Sequence, residues 1–131
     1  MLRYISLLFL LELVYCSEQQ KYFINHLIEK NGVIQRPITN ELVIGNIYRY
    51  FENENMEKIN VFIGTITPAG KNGNWIRWWK NGVKKSEGRY HNSVKEGLWI
   101  NWTQTGDKYS EVIYKNGQVI HLKNCLLENC E

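Results

Sequence analysis

A chain of 131 residues, 44% hydrophobic and 13% aromatic, suffices for one small folded domain and is too apolar for a disordered one. Its net charge of +3 at pH 7, with 16 basic residues interspersed among 13 acidic ones, is too mild to indicate nucleic acid as a partner. His26, His91 and His121 sit in unrelated contexts, with no phosphate loop, metalloprotease helix or nucleophile elbow, so the expectation is no catalytic residue, no metal and no cofactor.

The chain opens MLRYISLLFLLELVYCSEQQ, with one Arg at position 3, an apolar run from Tyr4 to Leu11, and then Leu13-Val14-Tyr15-Cys16-Ser17. This is the layout of a secretory signal, and the stretch from Tyr4 to Tyr15 falls short of the ~20 residues that a spanning helix needs. Residues 1–16 are therefore expected to be removed on export. Leu13 at −3 from Cys16 resembles a lipobox, in which the Cys16 thiol receives diacylglycerol and becomes the mature N-terminus. Tyr15 is bulkier than the usual small residue before that cysteine, so the match is nearer to the relaxed lipoboxes of spirochaetes. One alternative is ordinary cleavage after Cys16, with Val14 and Cys16 as the −3 and −1 residues, which would leave a periplasmic or secreted protein. The other is a buried N-terminal strand or helix.

Residues 17–44 read as a short tether, SEQQ, followed by YFINHLIEKNGVIQRPIT around Asn31-Gly32. A degenerate hairpin and a short helix ended by Gly32 both fit, and the hairpin is the expectation.

From residue 45 to 122 the sequence repeats. GNWIRWWKNG (73–82) returns as GLWINWTQTG (97–106), and an earlier copy reads GNIYRYFEN (45–53). The second halves match as well: KKSEGRYHN (84–92) and KYSEVIYKN (108–116). The first two copies stand four residues further apart than the last two, and the extra residues are assigned to a lengthened turn in TPAGKNG (67–73). Asn81-Gly82, Asn116-Gly117 and Asn31-Gly32 are dipeptides that close two-residue hairpins, with Thr105-Gly106 and Asn92-Ser93 as weaker versions. Turns at 81, 92, 105 and 116 leave room for one strand each. The predicted fold is all-β: an antiparallel meander of about three hairpin repeats.

A two-residue turn at Asn81-Gly82 pairs positions summing to 163, which sets Trp75 opposite Gly88 and has Trp75 cover that glycine. Trp75, Arg77 and Trp79 then share one face with Lys84, Ser86 and Tyr90.

The pattern of G-x-W-x-x-W, an N-G turn, then E-x-x-Y and a second N-G turn resembles the variant MORN repeat, over roughly residues 45–120. Lys30 to Ile34 (KNGVI) echoes Lys115 to Ile120 (KNGQVI) as a half copy. The first copy departs from the pattern, since ENENM replaces the N-G turn, and Thr103 stands where Trp79 predicts an aromatic. The resemblance implies a β-hairpin scaffold used for protein or membrane contacts, and a bacterial family with these repeats is labelled as antitoxins.

Positions filled in every copy, Ile47/Trp75/Trp99 and Tyr50/Trp78/Trp102, together with Tyr90 and Tyr114, are assigned to the repeat core. Where copies differ lies the candidate binding stripe: Trp79, with Phe51 before it and Thr103 after it, and Arg77, matched by Arg49 but then by Asn101. Glu87 and Glu111 recur beside lysines and read as cross-strand charge partners. Residues 123–131 form a tail in which Cys125 and Cys130 (NCLLENCE) suit a small disulfide loop, two free thiols being the alternative. Two function classes remain. One is a lipid-anchored scaffold of a bacterial cell envelope that binds a protein or polysaccharide partner through its sheet face or edge. The other is an antitoxin or immunity protein that occludes a toxin, and localisation discriminates between them.

Overall fold

The structure, a computed structural model, describes residues 20–130. Its architecture follows from two kinds of turn that alternate along the repeats. At Asn92-Ser93 (φ 47° and 66°) and Asn116-Gly117 (50° and 78°) both central residues are left-handed, the mirror-image turn that matches strand twist. His91 and Val94 pair across the first, Lys115 and Gln118 across the second. Asn81-Gly82 behaves differently, because Gly82 alone is left-handed (82°). The Trp79 amide donates to the Val83 carbonyl (2.8 Å) and the Gly82 amide to the Trp79 carbonyl (3.1 Å), so the loop is residues 80–82. Gly106 and Met56 (φ 61°) occupy the same left-handed position in the turns at 103–107 and 53–57. ENENM thus makes the repeat's turn without a glycine.

The three-residue turn shifts the register beside it. Trp78 faces Lys84, and the expected sum of 163 resumes only at Arg77–Ser86, with a bulge between. The last hairpin repeats this with Trp102–Lys108 and Asn101–Ser110. In an unbulged strand, residues three apart point to opposite faces. Here Lys84 reaches Glu87 (2.7 Å) and Lys108 reaches Glu111 (2.9 Å), so the two repeated glutamates pair within their own strand instead of across it.

Strands β1 (Lys21–Phe23), β4 (Gly45–Glu52), β5 (Lys58–Thr67), β6 (Gly70–Trp78), β7 (Lys84–His91), β8 (Val94–Trp102), β9 (Lys108–Lys115) and β10 (Gln118–Asn124) form one open sheet in that order. It is an antiparallel meander, except that β1 runs parallel to β4. The segment between them, 24–44, is long enough for the crossover that a parallel pair requires. That segment holds a single 3-10 turn, Ile24–His26, and a separate hairpin, β2 (Ile28–Lys30) and β3 (Val33–Gln35), closed by Asn31-Gly32 with both residues left-handed.

The four extra residues do not lie in 67–73. Thr67 pairs with Gly70 across a two-residue turn, just as His91 does with Val94. They lie in the β4–β5 arms. Ile47 opposite Gly64 corresponds to Trp75 opposite Gly88, and Asn53 facing Glu57 across the first turn corresponds to Trp79 facing Val83 across the second. The arm from Ile47 to Asn53 is two positions longer than that from Trp75 to Trp79, and the arm from Glu57 to Gly64 two longer than that from Val83 to Gly88. Two residues per strand lengthen a hairpin by one alternation and leave every side chain on its face.

Neighbouring hairpins are joined by tryptophan laid on glycine. A Cβ on Gly64 would fall 2.4 Å from the Trp75 ring, and one on Gly88 2.2 Å from the Trp99 ring. Gly88 is therefore covered by Trp99 of the next hairpin, not by Trp75. The Trp75 and Trp99 Nε1 atoms donate to the Thr65 and Arg89 carbonyls (3.2 Å each), where the ladders between hairpins stop or shift. In the last copy the glycine position is Val112 and the tryptophan position Lys123, so the stacking ends there.

Candidate functional site

The aromatic residues assigned to the repeat core form an edge-to-face ladder. Trp75 meets Tyr90 at 5.9 Å, Tyr90 meets Trp99 at 5.0 Å and Trp99 meets Tyr114 at 6.3 Å. Lys71 lies over Trp75 and Tyr90, and Lys95, its repeat equivalent, over Trp99 and Tyr114. The N-terminal hairpin covers the first half of this face: Ile34 and Val43 are buried with Ile47, Ile63 and Ile66, and Glu29 binds the buried Lys71 ammonium at 2.6 Å. Burial pushes the Tyr90 phenol above its ordinary pKa, Arg77 acting against the shift. Trp78 packs partly buried against the core, and Trp102 is half-buried beneath Lys84.

The four candidate binding residues do not form one exposed stripe. The Trp79 Nε1 donates to the Trp102 carbonyl (3.0 Å), tying the second hairpin to the third. The equivalent link between first and second hairpins is made by Arg49, whose guanidinium donates to the Trp78 carbonyl (3.1 Å) while lying 4.9 Å over Phe51. Phe51 in turn meets Trp78 edge-on at 6.3 Å. Arg77 alone of the four is exposed, and its side chain makes no hydrogen bond or ion pair among the described residues.

These links border a cleft of about 490 Å³ lined by Arg49, Lys80, Lys85, Trp78 and Trp79. The Lys85 ammonium sits 4.2 Å from the Trp79 ring centre. Lys80 and Lys85 were not legible as site residues, because the bulge and the three-residue turn place them here. The Trp78 Nε1 is buried without a hydrogen-bond partner, the single such side-chain atom among the described residues.

A second surface is the edge strand β10. Val119, Ile120 and Leu122 are exposed there, with Leu126 and Leu127 beyond them. In the preceding copy Val119 and Ile120 correspond to Lys95 and Glu96, so the edge is more apolar than the strand it repeats. Edge strands ordinarily carry charge that discourages pairing. Comparing copies could have shown this.

Cys125 and Cys130 form a disulfide with Cα atoms 5.2 Å apart. The Glu111 carboxylate lies near both sulfurs but accepts a hydrogen bond from Lys108, which holds its pKa below the usual range. With both sulfurs in the disulfide, the cluster offers no thiolate to a metal. The proposed lipidation site, Cys16, lies outside the described residues. No family model, curated protein or solved structure matches the chain.

Proposed function

We propose that the chain is an exported, non-catalytic β-hairpin scaffold, tethered to a bacterial envelope membrane through a diacylated Cys16, that binds a partner protein along β10. The observation that carries the binding half is the apolar edge, which no strand among the described residues pairs: Val119, Ile120 and Leu122 are 54%, 61% and 63% exposed there. An added strand gains main-chain hydrogen bonds from such an edge, and the alternating side chains give specificity. The tether half rests on the signal-like opening of the sequence. The repeated hairpins support grouping the chain with variant MORN scaffolds.

A photocrosslinking residue at Leu122, in cells that make the full-length protein, tests the edge. The expected result is one defined adduct, lost when Ile120→Lys is added and not obtained from a crosslinker at Thr105. No adduct, or one indifferent to Ile120→Lys, would refute edge binding.

A further inference from the structure

The cleft between the hairpin ends contains an unbalanced charge. Arg49, Lys80 and Lys85 line it, and no Asp or Glu among the described residues does. An adjoining hollow shares Arg49, Trp78 and Lys85 and adds Arg77; its one carboxylate, Glu29, is engaged by Lys71. None of the four cations has an ion-pair partner among the described residues, although Lys71, Lys84 and Lys108 all do. One sign of charge in a concave, partly apolar site concentrates its field on a bound counter-ion.

We propose that this cleft binds the carboxylate of a uronic-acid sugar. Its volume suits one or two sugar rings. The half-buried indoles of Trp78 and Trp79 line the cleft; Lys85 lies over one face of Trp79, and the remaining indole surface suits the C–H face of a pyranose, while the exposed Gln104 can hydrogen-bond hydroxyls. Indole surface beside the cations suits a carboxylate carried on a rigid ring, whereas a free phosphate would leave that surface unused. The site is separate from β10 and does not depend on the edge-binding reading.

The test follows the indole N–H resonances of the ¹⁵N-labelled protein, residues 17–131, at low ionic strength. Digalacturonate is expected to shift the Trp78 and Trp79 signals saturably, while Trp99 stays put. Lys85→Gln should weaken the effect at least tenfold and Ile120→Lys should leave it unchanged. Galactobiose, inorganic phosphate and N-acetyl-glutamate amide serve as the other probes. No shift with digalacturonate at millimolar concentration, or an equal response to galactobiose, would overturn the proposal. Equal binding of phosphate or the glutamate derivative would overturn the sugar assignment.

Discussion

Replacing Gly88 by alanine isolates the contact that joins one hairpin to the next. Gly88 lies outside the left-handed region, so alanine there carries no backbone strain and loses less entropy on folding than glycine. The cost is steric. The new Cβ would lie 2.2, 2.4 and 2.5 Å from three atoms of the Trp99 ring, well inside the 3.4 Å at which ordinary contact begins, so the indole must retreat by most of that difference. Trp99 is 3% exposed, with Tyr90 at 5.0 Å, Lys95 at 4.3 Å and a 3.2 Å hydrogen bond to the Arg89 carbonyl. Overpacking of this kind costs about 1–3 kcal/mol and the weakened hydrogen bond about 1 more, so the expected loss is about 2–4 kcal/mol. Trp99→Ala should cost about 3–5 kcal/mol. In that background the space is vacant, and Gly88→Ala should be neutral or stabilise by about 0.5 kcal/mol. Urea unfolding of parent, both single variants and the double variant gives the coupling directly. A Gly88→Ala variant as stable as the parent, or one equally costly in both backgrounds, would refute the stacking argument.

Met56 holds a left-handed conformation and is 76% exposed, so Met56→Gly should raise stability by about 0.5–1 kcal/mol in thermal unfolding; a loss would contradict the turn assignment. Because burial raises the Tyr90 pKa, the folded chain keeps that proton where the unfolded chain releases it. The associated stability is complete below the ordinary value of 10.0 and is lost as pH rises through the folded-state pKa. Tyr90→Phe should therefore flatten the alkaline limb of a stability–pH profile measured in urea. Trp79→Phe removes the hydrogen bond to the Trp102 carbonyl and should cost about 1 kcal/mol, whereas Arg77→Ala should stay within about 0.5 kcal/mol of the parent. Equal losses at the two positions would place Arg77 in the framework as well.

The repeat period was enough to locate the hairpins of the meander and the order of their strands. It did not determine which turn each dipeptide makes. Asn-Gly suits a two-residue turn with two left-handed residues and equally a three-residue turn needing one, and the second form at Gly82 created the bulge that displaced Lys84 and Lys85. The glycine under Trp99 was nonetheless recoverable. Trp75 follows Gly64 at the same spacing as Trp99 follows Gly88, while their cross-strand partners are Gly88 and Val112, so only the first relation demands glycine in both copies. The parallel strand β1 had no such signal, since a strand so short cannot show a period. The differences among copies at Trp79 and Arg49 reflect different donors to equivalent carbonyls, Trp102 and Trp78, and hence a structural substitution. Arg77 is the one candidate of the four with an exposed side chain and no framework hydrogen bond among the described residues.

The proposed scaffold works outside the cytoplasm on a lipid tether. The most direct measurement is the intact mass and N-terminal peptide of the native protein recovered from a membrane fraction. The expected result is a chain that begins at diacylated Cys16 and carries the Cys125–Cys130 disulfide. A chain retaining Met1 in the cytoplasm, with both thiols free, would contradict it and favour the antitoxin reading.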